Sequence, residues 1–248
     1  MKLTLVLLFV TTVQCLGSAE AKRLEIGGKD TGILLYPFMA AIELAKKLIG
    51  NGAIIAQRYV LTSASAVLEP HYSLYKVQVG ADTFQGTGDW YEVLTIYKHP
   101  EFIGWDYNIA LIHLKDRIAF GDTVQSIPIA DTFTNNLEVL MLSYGTNEDN
   151  TMHLREAICT ISTGEDCVKF LTGGLSKDIV LQGHGFCVHG TPGTEQGQWP
   201  TDAGAPIVAA GKLYGVFAFT EDEGRVNVGS VGTSVSSFLE WIYETMGV

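Results

Sequence analysis

Along the chain, short runs that are apolar, β-branched or alternating recur at Ala53 to Ile55, Tyr59 to Thr62, Val77 to Gly80, Tyr91 to Tyr97, Ala110 to Leu114 and Val139 to Ser143. They continue at Ile158 to Ile161, Phe186 to Val188, Ile207 to Ala209, Leu213 to Phe219 and Val226 to Val228. Gly, Asn, Asp and Pro punctuate the runs, the pattern of short strands joined by turns. No helical segments alternate with them, so the spacing predicts an all-β body of antiparallel barrels or a sandwich. Only the last segment reads as a helix, because Val235, Phe238, Leu239, Ile242 and Met246 recur at steps of three and four residues behind Ser234, with Gly247 placed to end it. No repeat of fixed period and no linker rich in Pro, Gly or Ser interrupts the pattern, so one compact unit is expected.

The first residues set the expected compartment. Lys2 precedes an apolar run from Leu3 to Val13 and the small residues Gly17, Ser18 and Ala19. This reads as a secretory signal peptide over residues 1–19, with 20–24 a short pro-segment or tail. The run is shorter than the roughly 20 residues a bilayer core requires, so the mature chain is expected to be soluble and extracellular, without a membrane span. A formal charge of −11 argues against nucleic acid or anionic membrane as a partner, since phosphate binding requires clustered Lys and Arg. Cys15 falls inside the signal peptide, leaving Cys159, Cys167 and Cys187 for one bridge and one odd thiol. Beside Ile158 and Ile161, Cys159 is expected to be buried; the alternative is a dimer joined through it.

Four stretches, in order, resemble motifs of the trypsin and chymotrypsin family of serine proteases. Ile26-Gly27-Gly28 resembles the start of the mature protease, and Tyr59-Val60-Leu61-Thr62-Ser63-Ala64 the run before the catalytic histidine. Tyr107-Asn108-Ile109-Ala110-Leu111 resembles the run around the catalytic aspartate, and Asp202-Ala203-Gly204-Ala205-Pro206 the nucleophile loop. His99-Pro100, Ser143-Tyr144-Gly145, Phe186-Cys187-Val188 and the closing Trp241-Ile242 add to the match. The resemblance implies two six-stranded antiparallel β-barrels over 25–248, a cleft between them and a C-terminal α-helix.

The family's chemistry requires a hydroxyl nucleophile, an imidazole base and a buried carboxylate that orients it. In the register the resemblance gives, the histidine position holds Ser65, the aspartate position Asn108 and the nucleophile position Ala203. A hydroxyl is no base near neutral pH, an amide carries no charge, and a methyl cannot attack a carbonyl. Loss of one member can lower turnover on the order of a millionfold, so the chain is expected not to be an enzyme. Thr201 replaces the glycine that helps form the oxyanion hole, Gly197 lies at the floor of the specificity pocket and Trp199 where a bracing cysteine is usual. With Phe219, these three are expected to form a remnant binding cleft. Activation by cleavage at Arg23 is not expected to be required, since Leu24 and Glu25 replace the basic and apolar residues of the usual site.

The resemblance also pairs Cys167 with Cys187, and it marks Gly50 with Ala66 and Val139 with Ala209 as positions where both halves of a family bridge are absent. His184 and His189 match no closed zinc set, so no metal or cofactor is expected. His99 is expected to support the cleft wall and His113 to be a strand residue. Glu221-Asp222-Glu223 reads as a solvated loop, or else as a charge attracting a basic ligand. Tyr72, Tyr75, Trp90 and Trp105 form either a contact patch or ordinary core. The expected function is that of a secreted, non-catalytic homologue that binds a protein partner: a protease, a zymogen or a host defence protein. The alternatives are a residual or unconventional hydrolase and a non-binding storage protein of a secretion.

Overall fold

The computed structural model describes residues 28–145, 151–190, 202–221 and 229–248. The expected signal peptide, the expected tail with Arg23, and the expected strand at Val226 to Val228 lie outside the described residues.

After a two-residue strand β1 (Lys29–Asp30), six strands close the first barrel: β2 (Met39–Leu44), β3 (Lys47–Ala56), β4 (Tyr59–Thr62), β5 (Tyr75–Val79), β6 (Asp89–Lys98) and β7 (Ala110–Leu114). Their order round the barrel is β2-β3-β4-β7-β6-β5, every pair antiparallel. The interior is filled by Ile42, Ile54, Val60, Val77, Val79, Val93, Ile112 and Leu114. Strict alternation along β6 would turn Val93, Thr95 and Tyr97 inward. A register shift between Val93 and Thr95 inserts an extra residue, so Ile96 is buried and Tyr97 exposed.

The second barrel comprises β8 (Leu137–Ser143), β9 (Arg155–Ser162), β10 (Gly185–Gly190), β11 (Pro206–Ala209), β12 (Lys212–Thr220) and β13 (Ser230–Ser234). It runs β9-β10-β13-β12-β11-β8 and closes through the β8–β9 pair, with β1 added to β9. The ring of Phe186 lies in its core among Met141, Ile161, Val188, Ile207 and Phe217. A further cluster spans the space between the barrels, with Met39, Ala53, Leu61 and Leu111 from the first meeting Leu142, Val216, Val235 and Ile242 from the second half.

Two helices correct the expectation that only the C-terminal segment is helical: α1 (Gly164–Val168) and α2 (Gly174–Leu181) lie between β9 and β10. Neither is long enough to show a helical period or to be stable alone. They are held by tertiary contacts instead, with Ile179 and Val180 packed on Leu171, Val231 and the Cys167–Cys187 bridge. That disulfide forms as the resemblance implied, with Cα atoms 5.2 Å apart, and such a link contributes about 3 kcal/mol in the chain-entropy model. The terminal segment starts as a 3₁₀ turn at Val235–Phe238, continues as α3 (Leu239–Met246) and is capped by Gly247 in the left-handed region.

Cys159 is buried with no exposed surface, opposite Val139 on β8. This is the expected burial, and a thiol so placed cannot reach a second chain while the barrel is closed, which corrects the alternative of a dimer link. Gly50 and Ala66 do face one another, since a Cβ on Gly50 would stand 2.9 Å from that of Ala66, and Val139 and Ala209 share the second core.

Candidate functional site

β4 ends in a 3₁₀ turn, Ala64–Ala66, which carries Ser65 to the seam between the barrels. The chain entering β7 brings Asn108 to the same point, only 1% exposed. The two residues bond reciprocally: the Ser65 backbone N–H donates to Asn108 Oδ1 at 2.8 Å, and Asn108 Nδ2 donates to Ser65 Oγ at 3.0 Å. Thr233 Oγ1, from the second barrel, donates to the Asn108 carbonyl at 3.0 Å.

Ala203 arrives on the turn before β11. That turn presses its backbone against the first barrel, with the Asn51 N–H donating to the Ala203 carbonyl at 2.8 Å. Gly204 has φ 74°, and a Cβ there would overlap Thr62 Oγ1 and the Asn51 carbonyl, so glycine is required both for conformation and for space. Beside it, Asp202 is 2% exposed, and its Oδ1 accepts the Ser143 hydroxyl at 2.6 Å. Ser143 Oγ in turn accepts from Asn51 Nδ2 at 3.1 Å and from the Gly145 N–H at 2.8 Å. This buried polar chain runs across the seam and continues to Tyr144, whose phenol donates to the Ala81 carbonyl at 2.6 Å; burial pushes its pKa up.

Ser65 and Ala203 share the wall of a cleft of about 290 Å³ with Ile49, Ala66, Trp105 and the stretch Phe217, Ala218, Phe219 and Thr220. The Trp105 and Phe219 rings meet at 5.1 Å between centroids. Among the described residues, Ser65 and Thr220 bring side-chain hydroxyls to the cleft, and no histidine lines it. Chemically the described lining suits an apolar side chain held between aromatic walls.

Of the residues expected at the site, Ser65, Asn108, Ala203 and Phe219 come together here. Gly197, Trp199 and Thr201 lie outside the described residues. Sequence reasoning missed Ile49 and Thr220 and left Trp105 undecided between patch and core. The available signal for Trp105 was its place three residues before Asn108. Tyr75 is buried core, whereas Trp90 is exposed away from the cleft.

The remaining candidates have other partners. His99 stacks on Tyr107 at 4.8 Å and packs at a tilt on Trp241 at 5.1 Å, and burial holds its pKa low. His113 is on β7, as expected, stacked on Tyr59 at 4.5 Å. His184 Nδ1 meets Asp106 Oδ1 at 2.8 Å, while His189 stacks on Phe170 at 4.4 Å, so the two histidines share no centre. Glu221 is not a solvated rim charge. Its carboxylate accepts from the Thr172 N–H at 2.6 Å and the Gly173 N–H at 2.8 Å. Burial works against its ionised form, but these bonds and one from Ser176 outweigh it and lower the pKa.

The comparisons agree on one family. The trypsin family model matches residues 25–242. The vitellin-degrading protease of Bombyx mori is 26% identical over 232 residues, covering 89% of this chain and 85% of that one. Trypsin 5G1 of Aedes aegypti is 24% identical, with 90% and 85% covered, and the clotting factor G beta subunit of Tachypleus tridentatus 26%, with 88% and 78% covered. Among solved structures, neuropsin, a serine protease expressed in the limbic system of mouse brain, superposes with a TM-score of 0.77 at 22% identity over 88% of this chain and 98% of its own, which bears on the fold. The family match and the curated relatives point to a protease and overturn the expectation, drawn from Ser65, Asn108 and Ala203 alone, that the chain is not an enzyme. Two closed antiparallel barrels, the seam between them and a family match over residues 25–242 place this chain in the trypsin family.

Proposed function

We propose that this chain is a secreted member of the trypsin family that acts by binding a protein partner in the cleft between its barrels. The observation that carries the reading is the composition of that cleft: an apolar space of about 290 Å³, walled by Trp105, Phe219 and Ile49, with the Ala203 methyl on its wall. In this reading Ser65, Asn108 and Ala203 stand at the stations of the family's histidine, aspartate and serine. Their mutual placement supports it, since Ser65 and Asn108 are bonded and Ser65 and Ala203 share one wall. Gly197, Trp199 and Thr201 belong to the same cleft in the proposal, residues 1–19 are the signal peptide, 20–24 the tail and 25–248 the domain. The disulfide fits an oxidising compartment, and the partners in view are a protease, a zymogen or a host defence protein.

A second reading, a hydrolase working with other groups, has the family match and the protease relatives in its favour. One experiment separates the two. A random peptide library is selected on the mature chain and on Ala203→Phe, whose ring fills the cleft. Binding at the cleft predicts enriched sequences that lose at least about tenfold in affinity on the variant, some 1.4 kcal/mol. Equal enrichment on both proteins sinks the cleft. Fluorophosphonate labelling and peptide-ester turnover are measured on the same samples, and activity in the native chain favours the hydrolase.

A further inference from the structure

Trp105 forms an aromatic wall of the cleft and is carried on a short turn. Ile103 and Asp106 close that turn through reciprocal backbone bonds of 3.3 and 3.0 Å, and Gly104 takes φ 59° within it. These local bonds fix the turn's shape but not its angle to the second barrel, where the facing wall, Phe219, resides. Asp106 supplies the missing restraint. Its Oδ1 accepts the Tyr107 N–H at 2.8 Å and meets His184 Nδ1, across the seam, at 2.8 Å. His184 is itself anchored: its N–H donates to the Ile179 carbonyl and its carbonyl accepts from the Ser234 N–H, each at 3.0 Å.

Tyr107 shows that the arrangement is held against a cost. Its φ of 49° is a left-handed conformation that a bulky residue adopts only when its surroundings impose it, at about 1–3 kcal/mol. Its ring packs on His184 at 4.2 Å and on His99 at 4.8 Å, and a hydrogen bond to Glu101 raises its pKa. The next residue is Asn108, so the same few residues set both the Trp105 wall and the entry of Asn108 to the site.

We propose that Asp106 and His184 are positioning residues: their bond across the seam holds Trp105 against Phe219 and thereby sets which apolar side chain the cleft accepts. The specificity half of this inference rests on the cleft being a binding site. His184→Phe keeps the ring stacked on Tyr107 and removes the donor, whereas His184→Asn removes the ring and keeps a donor near Nδ1. The first readout is the indole ¹H–¹⁵N resonance of Trp105, assigned by its loss in Trp105→Phe. It should shift or broaden in His184→Phe and in Asp106→Ala, and return toward the native position in His184→Asn. An unchanged resonance in His184→Phe and Asp106→Ala overturns the proposal, as does a failure of Asn to rescue it.

The second readout is binding of dansyl-labelled tetrapeptide amides that carry Phe, Leu or Ala at one position. The native chain should prefer Phe over Ala by about tenfold, within the range of apolar pocket discrimination, and His184→Phe should reduce that to below about threefold. If probes bind and the ratio ignores the donor, the specificity role is overturned. If no probe binds the native chain while Trp105 still follows the donor, the binding function of the cleft fails and the positioning of Trp105 stands.

Discussion

At Gly204 two demands meet in one residue. The left-handed φ of 74° and the absent Cβ let the turn carrying Ala203 lie directly on Thr62 and Asn51 of the first barrel. A side chain there has nowhere to go, because one obstacle is a backbone carbonyl. Gly204→Ala should therefore destabilise the fold by about 3 kcal/mol or more, combining left-handed strain with overpacking. Denaturant unfolding with an unchanged midpoint would show that the turn can lift from the seam. This residue also shows what was legible beforehand. Ser65, Asn108 and Ala203 could be placed from sequence because each lies in a run whose neighbours are held by such local constraints. The Asp106–His184 bond could not, since it joins residues 78 apart whose segments carry no pattern linking them.

Among the elements, strands were readable where β-branched residues accumulate, and β4 and β7 have the very limits their runs suggest. β2 was missed because Met39-Ala40-Ala41-Ile42-Glu43-Leu44 has as much helical as strand character. Its hairpin to β3 also turns through Ala45 and Lys46 at positive φ without the Gly or Asn that announces such a turn. β13 was missed because Ser230-Val231-Gly232-Thr233-Ser234 is mostly small and polar. Its smallness has a use: Gly232 and Gly215 flank the buried Phe186 ring. A Cβ on Gly232 would stand 2.7 Å from Phe186 Cε2, and one on Gly215 would stand 2.5 Å from the Thr233 carbonyl as well as striking the ring. Each Gly→Ala change should cost about 1–3 kcal/mol. Phe186→Leu should relieve the Gly232 variant more than the Gly215 variant, because only the former clashes solely with side chains. A double-mutant cycle in which both are relieved equally would contradict this.

For the whole molecule, acid should loosen the structure. Burial holds His99, His113 and His189 below their ordinary pKa, so between the folded and unfolded values the unfolded chain binds more protons. Stability is therefore fully present above the unfolded histidine value of about 6.5 and is lost as pH falls through the folded values. Glu156 and Glu221, whose net shifts are downward despite burial, add a loss of the same sign at lower pH. The thermal midpoint should fall steadily from about pH 7.5 to pH 5, and His113→Phe should flatten part of the slope. A midpoint that rises on acidification would contradict the assignment.

Enclosure of Cys159 gives the second barrel a chemical clock. The thiol lies in a core that reagent reaches only when β9 parts from β8 or β10, while the disulfide on α1 and β10 does not react with alkylating agents. The rate of Cys159 alkylation under native conditions therefore counts openings of the second barrel alone. Compared with amide exchange in β2 to β7, it tells whether the two halves open together or one at a time.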